Sequence, residues 1–235
     1  MEKDIQKVNE ELIKFWDEAI KLNEEYKQAY LNEEKNYEDI VPSEKLLIAV
    51  KELGKCHKVL DYGCGNAWGA VAAAKNGCKN VLAVDLGEGI IETANFFKDL
   101  YEVDDLVKTE VVKPDWISSV ETSTFDGLVC SNVLDVVPLE TAENIVKEMH
   151  RICKKNAMVV IGLNFYMSPE MAKERNIELV DGKYLFVNDV LRLSSLSDSE
   201  WEKLFTSFFE VVKLDYFAWP GEKKESRRLF ILKNK

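Results

Sequence analysis

The stretch Val59-Leu60-Asp61-Tyr62-Gly63-Cys64-Gly65-Asn66-Ala67-Trp68-Gly69 decides the fold of this chain. Its first residues read as a short buried strand, and its last open a helix predicted over Asn66 to Asn76. Between them, glycines let the backbone pass close to a ligand, and free amides at the helix start favour negative charge. Gly77 is placed as a C′ residue after that helix, and a second strand, Val81 to Asp85, follows. It ends in an acid about 20 residues beyond the glycines, where a carboxylate accepts hydrogen bonds from ribose hydroxyls. Strand, loop, helix, strand and acid together indicate a site for a nucleotide-like cofactor. The dinucleotide spacing GxGxxG is not met, because Gly63 and Gly65 are followed by Trp68 and the next glycine is Gly69. NAD is therefore disfavoured.

Moving outward, further β-branched runs occur at Val107 to Val112, Phe125 to Ser131 and Met158 to Leu163. Helices are predicted between them over Glu88 to Tyr101 and Leu139 to Lys154, with a short piece near Trp116; this alternation is that of a parallel sheet. After Leu163 the order changes. A short helix near Pro169, a hairpin around Asp181-Gly182 and a helix from Asp198 capped by Ser197 precede two last strands, Val211 to Trp219 and Arg227 to Leu232. On the other side, Ile5, Val8, Leu12, Phe15, Ala19, Leu22, Tyr26 and Ala29 fall on one stripe along a helix, widened by Trp16 and Ile20. Pro42 and Ser43 open a second helix, Glu44 to Leu53, stopped by Gly54. The expected division is an N-terminal helical cap over 1–54 and a cofactor-binding α/β core over 55–163. A substrate-cap insert over 164–195 follows, and a last helix with a C-terminal hairpin over 196–235 completes the sheet. The stripe lasts under four heptads without a clean charge pattern, so it reads as a lid on its own domain rather than a dimer seam.

The balance of 31 Lys and Arg against 42 Asp and Glu gives a net charge of −11, which repels a phosphate backbone, so nucleic acid is not an expected partner. Five cysteines without a CxxC pair and two histidines without ligand spacing suggest neither a zinc site nor a disulfide framework. No metal is expected. The start, MEKDIQKVNEE, lacks the apolar core of a signal peptide, and no run of about 18 apolar residues could span a bilayer, so a cytoplasmic protein with no membrane partner is expected.

Asp61, Gly63 and Gly65 match the first motif of the class I S-adenosylmethionine-dependent methyltransferases, and the chain resembles that family from Val59 to Leu163 in the family's order. Ala67 departs from it, standing where a third glycine would be. The resemblance implies a Rossmann-like, doubly wound sheet of seven strands, mostly parallel with an antiparallel last strand, and S-adenosyl-L-methionine as cofactor, leaving S-adenosyl-L-homocysteine. It implies that Asp85 binds the ribose, with Leu86 following it. Asp115, in Pro114-Asp115-Trp116, is the counterpart of an Asp near the adenine amino group, with Trp116 packing alongside. Cys130-Ser131-Asn132 is the counterpart of the fourth motif beside the methyl group. Cys64 lies in the loop as a small packing residue. The glycines usual before the fifth strand are missing after Lys155.

Methyl transfer from a sulfonium draws much of its rate from alignment, so no dedicated acid or metal is obligatory. If the acceptor must lose a proton, the carboxylate nearest the fourth motif is Asp135. Trp16, Tyr26, Tyr30 and Tyr37, with Tyr166 and Asn132, are candidates to line the acceptor pocket; the aromatics would enclose an apolar acceptor or meet the sulfonium. Ser131-Asn132-Val133-Leu134 lacks the Pro-Pro-aromatic sequence of enzymes that methylate base or glutamine amino groups. A small-molecule acceptor comes first and a protein second, with an NAD-dependent oxidoreductase or a non-catalytic cofactor-binding protein as readings from other classes. Either a monomer or a homodimer is compatible with the sequence.

Overall fold

A four-residue strand, β1 (Val59–Tyr62), with every side chain buried, lies in the interior of the sheet. The structure is a computed structural model and describes residues 5–235; residues 1–4 of the expected cap lie outside these, and Ile5 and Gln6 are described in their backbone alone. The other strands are β2 (Val81–Asp85), β3 (Val107–Val111), β4 (Phe125–Ser131), β5 (Cys153–Leu163), β6 (Tyr184–Val187), β7 (Val190–Ser194), β8 (Phe209–Phe217) and β9 (Arg227–Asn234). Seven of them form one sheet in the order β3-β2-β1-β4-β5-β9-β8, while β6 and β7 pair apart. Strands β1 to β5 run parallel, and β9 is antiparallel to both β5 and β8. That is the expected sheet, with the reversed strand inside the edge.

The long helices are α1 (Ile5–Ile20), α2 (Glu24–Asn32), α3 (Glu44–Leu53), α4 (Trp68–Lys75), α5 (Glu88–Leu100), α7 (Leu139–Ile152) and α9 (Asp198–Thr206); α6 (Trp116–Ser119) and α8 (Pro169–Glu174) are short. Two apolar layers hold them. One joins α3, α4 and α5 to the sheet through Leu46, Val50, Val71 and Phe97; the other joins α7 and α9 through Ile145, Met149, Trp201 and Phe205. The inner strands β1, β2 and β4 and the second half of β5 read as near-continuous apolar runs because both faces are covered there.

The stripe from Ile5 to Ala29 lies on two helices rather than one. Asn23 has extended backbone angles, and its side chain accepts the Tyr26 amide, so it starts a new helix three residues after the first ends. Val8 and Leu12 are buried, but Tyr26 is 61% exposed and α2 has no fully buried residue, Tyr30 alone packing in part against the core. The hairpin in the insert also turns elsewhere. Asn188 and Asp189 take left-handed angles, φ 51° and 63°, and link β6 to β7, as the type I′ turn favoured in two-residue hairpins requires. Asp181-Gly182 forms a separate turn ahead of β6.

Candidate active site

The C-terminal ends of β1, β2 and β4 meet in one cavity of about 600 Å³. Open parallel sheets bind ligands at this edge, where adjacent loops diverge. Tyr62, Gly63, Cys64 and Gly65 line it from the first loop, Asp85 and Leu86 from the second strand, and Ser131, Asn132 and Val133 from the fourth. Helix α1 roofs it with Leu12, Ile13, Trp16 and Ile20, and Tyr30 borders it from α2.

The glycines act differently at each position. Gly63 has φ 69°, and an added Cβ would lie 2.2 Å from Val133 Cγ2, so the first loop and the loop after β4 touch only because no side chain intervenes. At Gly65, φ 54°, an added Cβ would meet only Ile20 Cδ1, at 3.9 Å, so the space above it is open. Ala67, where the third glycine was expected, adopts φ 60° as the N-cap of α4, a left-handed conformation that costs an L-residue on the order of 1 kcal/mol. The shape of a third glycine is kept without the glycine.

Asp85 lines the cavity from the end of β2. Its Oδ2 accepts the Gly65 amide at 3.0 Å and its Oδ1 accepts the Leu86 amide at 2.8 Å; burial nevertheless raises its carboxyl above the ordinary range. Asp61 is 4% exposed and does not line the cavity. Its Oδ2 accepts the Ala70 amide at 2.8 Å, tying β1 to the first turn of α4 beneath the loop, and burial pushes its carboxyl up to about 8. Ser131 is accommodated by Gly162, where an added Cβ would stand 2.4 Å from Ser131 Oγ. Asn132 takes φ 58° as the chain leaves β4, and its amide donates to Gly162 O. Burial drives the Cys64 thiol well above its usual range, as fits a packing residue.

Several expected residues lie elsewhere. Asp115 is exposed at the start of α6 and Trp116 packs into the core, so Val112 and Pro114 line that end of the cavity instead. Asp135 is fully buried behind the loop, with Oδ2 taking the Asn164 amide, and does not line the cavity. Tyr26 points to solvent. The Tyr37 hydroxyl is held by Asn76 and Glu38, and Tyr166 follows β5 outside the lining. The insert lines none of the cavity; it backs α1, with the Arg192 guanidinium 4.2 Å from the centre of the Phe15 ring. Of the aromatic candidates, Trp16 and Tyr30 reach the cavity, and Trp16 Nε1 is buried without an acceptor among the described residues.

Sequence reasoning missed how α1 is seated. Asp17 Oδ1 accepts the Ile90 amide at 3.0 Å, so a side chain of α1 caps the N-terminus of α5. Gly87 makes this possible, since a Cβ there would stand 2.2 Å from that oxygen, and a Cβ on Gly89 would meet it at 3.1 Å. Thr93 completes the dock by accepting the Leu22 amide and donating to Ile20 O. The Gly87-Glu88-Gly89 spacing was the available signal. Also missed were Val136, Val137, Thr141 and Ile145 beyond β4, and Trp219 and Pro220 from the β8–β9 turn. No group of three metal-ligating side chains occurs among the described residues, and no helix there is long and apolar enough to cross a membrane.

Residues 60–161 match the family model described as a methyltransferase domain. The ribosomal protein L11 methyltransferase of Thermotoga petrophila is 39% identical over 101 residues, which cover 43% of this chain and 36% of that one. The ubiquinone biosynthesis O-methyltransferase of Neisseria meningitidis is 30% identical over 102 residues, 43% of this chain and 42% of that one. The chain thus spans less than half the length of these curated relatives. Among solved structures, the PH0226 protein of Pyrococcus horikoshii superposes with a TM-score of 0.64 at 17% identity, covering 86% of this chain and 92% of that one. The N-methyltransferase NodS of Bradyrhizobium japonicum, solved with S-adenosyl-L-homocysteine, gives 0.64 at 12% identity, covering 95% and 98%. The loop, the acid closing β2 and the sheet order therefore belong together: residues 60–161 match the methyltransferase-domain model, and the fold is the class I, Rossmann-like one.

Proposed function

We propose that this chain is an S-adenosylmethionine-dependent methyltransferase whose acceptor is a small, largely apolar molecule. The observation that carries the reading is one largely apolar cavity lined by a glycine cradle and Asp85, by Ser131 and Asn132, and by apolar side chains of α1. The residues present fit the cofactor. The open space above Gly65 would admit its amino-acid part, and Asp85 keeps lone pairs for ribose hydroxyls beyond the two amides it already accepts. Trp16, Tyr30 and Tyr62 offer aromatic faces that attract a sulfonium. When bound, S-adenosylmethionine supplies an electrophilic methyl group.

The chain's own part is to align and to exclude water. Asn132 and Val133 form the floor beside the methyl position, and Leu12, Ile13 and Trp16 press on it from α1. Holding two reactants in line can supply several kcal/mol of the barrier without an acid or base. The names of the curated relatives point to a ribosomal protein as acceptor in one case and to an O-methylation in ubiquinone biosynthesis in the other. An apolar cavity roofed by α1 favours the small molecule, since a protein side chain would need an open groove.

A thermal-shift panel tests the cofactor. S-adenosyl-L-homocysteine at a hundredfold excess over its dissociation constant is expected to stabilise the protein by about 2.7 kcal/mol, and NAD not at all. Stabilisation by NAD alone would refute the reading.

A further inference from the structure

We infer that the acceptor, on the methyltransferase reading above, is an uncharged apolar ring compound whose nucleophile is a neutral nitrogen, as in an aromatic amine or an N-heterocycle. Two features of the cavity lead there. The first is its charge. Among the described residues that line it there is no Lys, Arg or His, and the carboxylates are Asp39 and Asp85. The nearby arginines are held on aromatic rings and are not part of the lining. Arg192 lies over the Phe15 and Trp16 rings at 4.2 and 5.2 Å, and Arg227 lies 3.6 Å from the Trp219 centroid while paired with Glu222; neither lines the cavity. A carboxylate, phosphate or phenolate entering here would lose its hydration with no cation to replace it.

The second feature is the lack of a base where the acceptor must sit. The polar side chains that line the cavity from α1, α7 and the end of β4 are Asn9, Thr141, Ser131 and Asn132, none of which takes up a proton near neutral pH. Asp85 belongs to the ribose side, Asp39 is exposed to solvent with its Oδ1 on the Asn36 side chain, and Asp135 is buried behind the loop with its Oδ2 on the Asn164 amide. An aliphatic hydroxyl must surrender its proton to react, and nothing here receives it. A neutral nitrogen needs no such step. Its lone pair forms the N–C bond, the electron pair of the S–C bond leaves with sulfur, and the positive charge passes from sulfur to nitrogen. Any N–H proton is lost to water afterwards. The acidic lining favours the cation so formed.

Bicyclic probes of matched shape test this. Wild-type protein is first titrated with S-adenosyl-L-homocysteine; failure to bind ends the methyltransferase reading itself. With that ligand saturating, calorimetry near neutral pH compares isoquinoline, 2-naphthol and 2-naphthoate. Isoquinoline is expected to bind at least about tenfold more tightly than 2-naphthoate, since an unpaired charge is costly to desolvate. With S-adenosylmethionine, methyl groups should appear on one or more of isoquinoline, indoline and 1-naphthylamine, and on neither naphthol nor naphthoate. Thr141→Lys places a cation in the wall and should raise 2-naphthoate affinity about tenfold; Asn9→Lys does the same from α1 should the first variant not fold. Cofactor binding accompanied by 2-naphthoate binding equal to or tighter than isoquinoline, by no isoquinoline binding, or by methylation of oxygen rather than nitrogen overturns this inference alone.

Discussion

Replacing Gly87, which lines the cavity just after Leu86, by Ala should loosen the roof that α1 forms. The new Cβ would stand 2.2 Å from Asp17 Oδ1 and 2.8 Å from its Cγ, so the carboxylate must leave the N-terminus of α5. What is lost is the 3.0 Å bond from the Ile90 amide, a cap of the kind worth typically about 1 kcal/mol, and an anion at a helix start, worth about 0.3–1 kcal/mol. The docking of α1 therefore weakens by about 1–2 kcal/mol, a five- to thirtyfold rise in its open population at about 1.4 kcal/mol per factor of ten. Thr93 still holds Ile20 and Leu22, so the loosening should be greatest toward the start of α1 and least at its end. Hydrogen–deuterium exchange of α1 amides reads this directly, with the exchange of β4 and β5 as the internal control. Asp17→Ala should act alike, and the double variant should be no worse than either single one, because both remove one contact. Unchanged α1 exchange in a folded Gly87→Ala protein, or fully additive effects, would show that Asp17 is not the latch.

Two further substitutions probe the cradle. The Asp61 carboxyl is raised from 3.8 to about 8 by burial, so the folded chain holds a proton that the unfolded chain releases across that window. Stability falls as pH rises through it, by up to about 1.4 kcal/mol per unit. Asp61→Asn keeps an acceptor for the Ala70 amide and cannot ionise, so in denaturant titrations its stability relative to the native protein should rise between pH 4 and pH 8; a flat difference refutes the burial argument. Asp85→Ala should weaken S-adenosyl-L-homocysteine binding by about 1.5–3 kcal/mol, the worth of hydrogen bonds to a charged group, and an unchanged affinity in a folded variant removes Asp85 from the site.

The part of the site legible in the sequence is the part built by neighbours in the chain. Val59 to Asp85 contains its own strand, turn glycines, helix and acid, and the structure brings Gly63, Gly65 and Asp85 to one cavity as their spacing implied. The parts that were not legible are set by contacts between distant segments. Trp219 reaches the cavity because β9 turns back beside β5, and no local pattern announces that pairing. The α1–α2 break depends on one Asn23 side chain, which the apolar period conceals because the stripe continues through it in register. Asp115 follows the third strand in the expected place, yet α6 starts on it and leaves it in solvent. Tyr26 and Tyr37 belong to helical segments that border the cavity but face solvent and α4 respectively.

Asp135 shows how chain proximity to a reacting centre misleads. The loop after β4 has two faces: Asn132, Val133, Val136 and Val137 line the cavity, while Leu134 and Asp135 are buried behind it with no exposed surface. The Asp135 carbonyl accepts the Ser194 amide at 2.7 Å, and its carboxylate accepts the Asn164 amide at 2.5 Å. Asn164 is itself clamped by β9, its carbonyl taking Arg228 Nε at 2.8 Å and its side-chain oxygen taking Arg227 Nη1. Asp135 thus ties the cavity floor to the insert and to the end of the sheet, which is a positioning role. Asp135→Asn keeps an oxygen for the Asn164 amide but loses attraction to the Arg228 guanidinium, so the floor should shift rather than the chemistry stop. The expected result is a rise in KM for the acceptor, on the order of three- to tenfold for about 1 kcal/mol of lost interaction, with kcat, its pH profile and cofactor affinity nearly unchanged. A base would behave oppositely, with kcat collapsing and the alkaline plateau of its pH profile lost. That second outcome would restore Asp135 to catalysis and would require the loop to turn its buried face outward during turnover.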